Sequence, residues 1–413
     1  MGMPRPRART PRYLTRFHCL GSGCEDNCCA GWQSVDVDEE SYARYRQVDH
    51  PDLGPALRLH VLPNREPAAG PEDYALIEVP DGGCCPFFTA ERLCAVQAAL
   101  GEALLPAGCD TFPRQATLID GVLEVAGRFS CPEVTRLALL TPDALDLVEV
   151  EPERRLRERA RYWVEVPWLD LEPGDPRRHY HRVRELSVGL LRRREVSLEA
   201  RLQSLGRALG TLSAHPGVGR AEVERAFAET EAGLPPLQQT VDATPRAEGP
   251  HELLLKRLRP WIAMPGLPPR YRACLDRLRD GLGLPPDPAA PLERTLARAY
   301  RAGLGPFRAY VLSKPHVLEN ALVNQIYVTN FPFHPRHTFF EEYAIFGCRY
   351  ALLKLHLIGA AAAEGALSDA LVVETVQAFD KYADSPEYWQ RSLDLLRREA
   401  ALDLPSLAAL VLD

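Results

Sequence analysis

The spacing of apolar positions changes character near residue 133. Before that point apolar residues come in short runs. Two of them, "YALIEV" and "VLEVAGRF", read as strands, because apolar and β-branched residues cluster there between turn formers. The segments "GSG", "LPNREPAAGPED", "PDGGCCP" and "LPAGCDTFPR" read as loops from their Gly and Pro content. Beyond residue 133 the period is helical. In "VSLEARLQSLGRALGTL", Leu198, Leu202, Leu205, Leu209 and Leu212 recur at spacings of four and three, which lines one helix face, with Ser197 placed as N-cap. The same spacing runs through "HELLLKRLRPWI", "PLERTLARAYRAGL", "EEYAIFGCRYALLKLHLIGAAAAEG" and "SDALVVETVQAFDKYADS". Two Pro-rich stretches, 233–250 and 283–291, read as linkers or long loops. The pattern predicts a mainly α protein: a loop-dominated N-terminal module over 11–135, a helical domain over 136–240 and a C-terminal helical domain over 250–413.

At 413 residues and 46% hydrophobic, the chain can build two or three compact domains. A formal charge of -7 argues against a polyanion partner, so no nucleic acid is expected. Arg5, Arg7, Arg9, Arg12 and Arg16 form a basic start, yet no apolar run follows them as a secretory signal requires. No uninterrupted apolar stretch reaches the roughly 18 residues that would span a bilayer. The expectation is a cytoplasmic protein with no membrane partner. In that reducing compartment clustered cysteines bind metal or do redox work more often than they form disulfides.

Nine of the eleven cysteines fall in the first 131 residues. A loop-rich module with a small core needs another staple, and bound metal is the usual one, so this is read as a metal-binding module. Zinc knuckles supply C-x2-C pairs, and none exists here; the ferredoxin run is absent too. Cys24 and Cys28 give a C-x3-C, but Gly31 occupies the third position of the radical-enzyme triplet. What remains is Cys19, Cys24, Cys28 and Cys29, then Cys85-Pro86, Cys94, Cys109 and Cys131-Pro132, which must converge from several loops. Thiolates followed by Pro suit iron–sulfur ligation, since Pro fixes the adjacent backbone. The adjacent pair Cys28 and Cys29 is hard to aim at one ion, leaving one of them for a different metal or for packing. Cys274 and Cys348, within helical patterns, read as inert buried thiols.

"PRYLTRFHCLGSGCEDNCCAGW", "CPFFTAERLCAVQAALGEALLPAGCDTFPR" and "FSCPE" together resemble the flagellin lysine-N-methylase (FliB) family. By position Cys19, Cys24, Cys28, Cys29, Cys85, Cys94, Cys109 and Cys131 match the family's cysteines, and Trp32, Pro113 and Arg114 match as well. "LENALVNQIYVTNFP" resembles the family's E-N-Y-L helix ending in F-P. Ala321, Asp380-Lys381 and Ala383-Asp384-Ser385 depart from the family pattern, and Cys84 is an extra cysteine. The resemblance implies methyl transfer from S-adenosylmethionine to lysines of flagellin, by a protein whose eight cysteines bind an iron–sulfur cluster, of the 4Fe-4S type. A shorter metal-chelating family shares the C-C, C-P-F-L and C-x2-F-P elements. A non-catalytic iron- or zinc-binding protein and an electron-transfer protein are therefore the alternatives. One cluster or two, and zinc in place of iron, stay open.

Cofactor and substrate positions are fainter. A strand, Gly-rich turn and helix of the nucleotide-binding kind is not visible. Outside the cysteines the best catalytic candidates are Glu319, Asn320 and Tyr327, with Glu341, Glu342 and Tyr343 as further pocket lining. Against them, aromatic and Leu residues at helical spacing usually form core, and Glu341–Glu342 suit the acidic first turn of a helix starting near Thr338. Arg114 is the cofactor-binding candidate, able to hydrogen-bond cluster sulfides or a carboxylate. Glu25 and Asp26 either meet the substrate lysine or solvate their loop. His334 and His337 are separated by Pro335 and Arg336, which disfavours a helical metal face. The "LRRREV" run at 191–196 reads as a solvated helix face.

Overall fold

A computed structural model describes residues 8–30, 34–67, 69–79, 83–119, 122–151, 171, 174–214, 217–234, 252–287, 289, 296–383 and 385–412. Trp32 and most of the 233–250 stretch lie outside them. The chain is mainly helical and divides into two units: Met1–Leu137 with Asp146–Glu165 and Pro265–Arg270, and Ala138–Leu145 with Val166–Met264 and Tyr271–Asp413.

The first unit is built on two small sheets. Strands β1 (Ala8–Pro11), β5 (Arg114–Ile119), β6 (Val122–Gly127) and β7 (Leu147–Val150) form one, ordered β5-β6-β1-β7, with β1 parallel to β6. Strands β2 (Ser34–Val37), β3 (Val61–Pro63) and β4 (Ala75–Glu78) form the other, antiparallel in the order β2-β4-β3. The two runs read as strands become β4 and β6, and five further short strands join them in the two sheets. Helices α1 (Glu39–Arg46) and α2 (Leu53–His60) pack on the second sheet, and Val35, Val37, Tyr45, Leu57, Val61 and Ile77 close a core. Fully burying each such aliphatic side chain contributes about 1.5–3 kcal/mol. Short helices α3 (Ala95–Leu100) and α4 (Ala107–Thr111) follow, and α5 (Pro132–Leu140) ends the cysteine-bearing segment.

The second unit is helical: α6 (Tyr180–Leu191), α7 (Leu198–Ala214), α8 (Arg220–Ala232), α9 (Glu252–Ile262), α10 (Pro269–Leu282), α11 (Leu296–Ser313), α12 (His316–Thr329), α13 (Phe339–Glu364), α14 (Asp369–Ala383), α15 (Pro386–Arg398) and α16 (Leu404–Leu412). Helix α7 starts as its sequence demands, with Ser197 Oγ accepting the Ala200 N–H at 3.3 Å. Helix α13 starts at a capping box in which Thr338 and Glu341 satisfy each other's backbone N–H. By length and composition α13 is apolar enough to cross a bilayer, yet 94% of its most apolar window is buried, as in a central core helix.

Close packing against α13 depends on missing side chains. A Cβ at Gly303 would fall well inside van der Waals contact with the Ile358 carbonyl oxygen, whereas one at Gly305 would meet nothing within 4 Å beyond its chain neighbours. Gly303→Ala is expected to destabilise by about 1–3 kcal/mol or more through overpacking. Gly305→Ala, two residues away, is expected to cost less than Gly303→Ala, because a helix-propensity gain of up to about 1 kcal/mol offsets the crowding of its Cβ against Pro306. Calorimetric melting of both variants checks this, and equal melting temperatures would refute the close approach.

Candidate metal and cofactor site

The parallel pairing of β1 and β6 sends the chain out of both strands at the same sheet edge. After β1 comes a turn of 3-10 helix over Arg12–Arg16 and then Cys19; after β6 comes Cys131. Thr10 Oγ donates to Val125 O at 2.8 Å and Tyr13 OH accepts from Gly127 N at 2.6 Å, which fixes the two exits together. Two residues 112 positions apart thus meet because of sheet topology.

The remaining cysteine loops are laced by backbone bonds. Cys85 N–H donates to Cys29 O at 2.7 Å, Ala95 N–H donates to Phe87 O at 2.8 Å, and Asn27 Oδ1 accepts the Cys29 N–H at 2.8 Å. Arg92, in the left-handed region at φ 63°, donates from Nη2 to Cys24 O at 2.5 Å. All eleven cysteines lie among the described residues and are reduced.

Two adjoining cavities result. The larger, about 550 Å³, is lined by Cys19, Cys24, Cys28, Cys29, Cys94, Cys109 and Cys131. The smaller, about 70 Å³, is lined by Cys28, Cys29, Cys85, Cys94 and Cys109 against Val35, Tyr45, Ile77 and Phe87 of the core. Together they take in all eight motif cysteines, while exposed Cys84 lines neither. Pro113 and Arg114 line the larger cavity too, with the Arg114 guanidinium 5.4 Å from the Phe17 ring centroid. Cys274 and Cys348 are buried in the other unit.

Cys19 Sγ accepts the Gly21 N–H at 3.4 Å, and backbone groups likewise favour the thiolate of Cys24 (Asp26), Cys85 (Phe87), Cys94 (Gln97 and Val96) and Cys131 (Val134 and Glu133). Such bonds stabilise sulfur as an anion and are among the levers that tune thiolate-held clusters. Burial opposes them: it pushes Cys85 up to about 11 and Cys131 up to about 12, and raises Cys24 and Cys109. Hydrogen bonding from Cys29 lowers Cys94 to about 6, while bonds to Cys28 and Cys94 keep Cys29 protonated. Eight thiolates crowded against an apolar wall are untenable without cationic charge, and a bound cation would displace their protons.

The sulfurs fall into two neighbourhoods. Cys131 is influenced by Cys24 and Cys19, and Cys24 by Cys19; Cys109 is influenced by Cys28, Cys85 and Cys94, to which Cys29 is hydrogen-bonded through Cys28 and Cys94. Seven of the eight sulfurs line the larger cavity, and the eighth, Cys85, lines the adjoining smaller one.

Residues 184–410 match the FliB lysine N-methylase C-terminal domain, more than half of the chain. The chain belongs to the FliB lysine N-methylase family. A Salmonella typhimurium protein named Lysine-N-methylase is 31% identical to this FliB-family chain over 140 residues, 34% of each chain. The Salmonella choleraesuis protein of that name gives the same figures, and the flagellar biosynthetic protein FliU of Salmonella muenchen is 29% identical over 154 residues, 37% of this chain and 89% of that one. The alignment therefore spans 34% of the length of the lysine-N-methylases it matches. No solved structure matches the chain.

Glu319, Asn320 and Tyr327 belong to the helical unit. Glu319 is 1% exposed, with Arg194 at 2.8 Å and Arg201 at 3.0 Å on its two carboxylate oxygens. Asn320 donates to the carbonyls of Ala138 and Thr141 at 2.8 and 2.9 Å. Both side chains anchor α12 within its unit, which is a structural employment. Tyr327 is half-buried, with the Arg184 guanidinium 5.5 Å from its ring centroid. Arg194, in the run read as a solvated face, turns out to cover Glu319. Of the further pocket candidates Tyr343 is fully buried, Glu341 pairs with Arg397, and Glu342 meets His337 at 2.6 Å. Glu25 pairs with Arg136, while Asp26 lines the larger cavity. Asp110 and Arg92 of that lining carry no signal of their own in the sequence, whereas Glu133 ends the "FSCPE" segment; only the fold brings all three to the thiols.

Proposed function

We propose that this FliB-family chain transfers methyl groups from S-adenosylmethionine to lysine side chains of flagellin, with an iron–sulfur cluster held by its N-terminal cysteines. The match over residues 184–410 carries the methylase reading, and the names of the Salmonella relatives support the activity and the flagellar target. The enclosure of all eight motif cysteines by two adjoining cavities supports the cluster. Soft thiolate donors select iron–sulfur groups or zinc, and a cavity of about 550 Å³ lined by seven of the cysteines has room for the larger group. Cys28, Cys29, Cys85, Cys94 and Cys109 form one ligand set and Cys19, Cys24 and Cys131 a second. Bound there, the cluster would supply redox-active iron behind protein walls. Asp26, Asp110 and Glu133 in the larger cavity offer carboxylates that attract a lysine ammonium and can take its proton, and Arg114 suits the carboxylate of the methyl donor. The setting proposed for this reaction is the cytoplasm.

Anaerobic purification with iron and sulfide assays, followed by incubation with S-adenosylmethionine and unmodified flagellin, tests the reading by mass spectrometry. Lysine-borne mass increments of one methylene each are expected. A colourless, zinc-loaded protein would remove the cluster, and intact cluster with unchanged flagellin would leave a metal-binding or electron-transfer protein.

A further inference from the structure

The turn between α12 and α13 gathers metal-binding donors in the helical unit, remote in sequence from the cysteines. Its "HPRH" segment folds back so that the His337 N–H faces His334 O at 3.4 Å, and the two imidazoles stack with centroids 4.3 Å apart and planes 23° apart. Proline between them rules out a helical pair, but a turn brings the rings together as well as a helix would. From the first turn of α13, Glu342 Oε1 lies 2.6 Å from His337 Nδ1, both side chains being only 11% exposed. One ligand atom from each of His334, His337 and Glu342 lies within 4.8 Å of the others. From α15, Gln390 brings Oε1 to 3.4 Å from His337 Nε2, and its own amide donates to Asp394 at 2.9 Å, which aims that oxygen inward.

The surroundings hold this arrangement in place. Asn330, left-handed at φ 57°, accepts from Tyr180 OH at 2.8 Å, and Phe333 packs on Tyr180 and Phe339 at 4.5 and 5.1 Å between centroids. Neighbouring Glu341 is engaged by Arg397 and the Thr338 cap, which leaves Glu342 to the histidines. An ordinary His–Glu ion pair accounts for His337 and Glu342. It makes no use of His334, whose ring stacks on that of His337 and whose Nδ1 accepts the Arg336 N–H at 3.3 Å.

We propose that His334, His337 and Glu342 bind a divalent first-row transition ion of the zinc class, with Gln390 holding the other ring nitrogen of His337. Two imidazole nitrogens and a carboxylate suit that class, whereas magnesium and calcium prefer all-oxygen shells. The ion would clip the turn after α12 to α13.

Cobalt(II) titration of the full-length protein tests this, with bound cobalt counted by equilibrium dialysis. Thiolate-bound cobalt shows sulfur-to-metal charge transfer in the near ultraviolet, and cobalt on nitrogen and oxygen donors does not. The wild type is expected to bind one cobalt more than the His334→Ala/His337→Ala variant, with the same charge-transfer intensity in both. Glu342→Gln is expected to weaken that extra ion by at least roughly 10-fold. Because His334 is exposed, His334→Ala alone keeps the fold and must by itself weaken the extra ion. Equal cobalt binding by wild type and His334→Ala would overturn the proposal.

Discussion

Replacing Cys94 and Cys109 together by serine is expected to strip most of the bound iron, lowering metal affinity by at least roughly 10-fold, the loss that even an outer partner of a metal ligand brings. Both sulfurs line both cavities, and Cys94 is the thiol that its neighbours and backbone N–H groups hold nearest to ionisation at neutral pH. Since metal binding energy is folding energy in modules with small cores, the first unit should also melt earlier. Cys84→Ser is the control, expected to keep full iron because Cys84 lines neither cavity. Cys131→Ser divides the possibilities further. Partial iron loss with an altered spectrum would mean that Cys19, Cys24 and Cys131 hold a separate centre, and complete loss would mean one shared group. Iron and sulfide assays with visible absorption read all three variants. Undiminished iron in the Cys94/Cys109 variant would sink the ligand assignment.

Glu319→Ala is expected to destabilise the helical unit by about 3–5 kcal/mol, the usual consequence of removing one partner from a buried ion pair. Arg201, 3% exposed, would keep its charge with no carboxylate beside it, and Arg194 would lose the same anchor. Differential calorimetry should show a clear fall in melting temperature. An unchanged melting temperature combined with lost methyl transfer would instead return Glu319 to the catalytic role that its sequence setting suggested.

The two variants divide what the sequence made legible from what it left hidden. Helix α7 could be placed to its N-cap because one apolar face and a capping serine are local properties, readable within a few residues. The same locality hides the partners of Glu319. An acidic residue beside Asn in an aromatic stretch resembles a pocket, and nothing within several residues reveals that Arg194 and Arg201 neutralise it from 125 and 118 positions away. His334 and His337 show the converse. Their separation disfavoured a helix, but the turn that stacks them and the Glu342 that joins them are set by packing against Tyr180 and Phe339.

For the cysteines the sequence alone determined the donor set: eight soft donors in a loop-rich segment without zinc-knuckle spacing, in a pattern specific enough to point to the family. Only the tertiary structure decided their grouping. Which sulfurs become neighbours depends on the parallel pairing of β1 with β6 and on backbone bonds between loops far apart in the chain. Spacing constrains ligands only across a few residues of stiff backbone; beyond that, sheet topology and packing determine which atoms can meet.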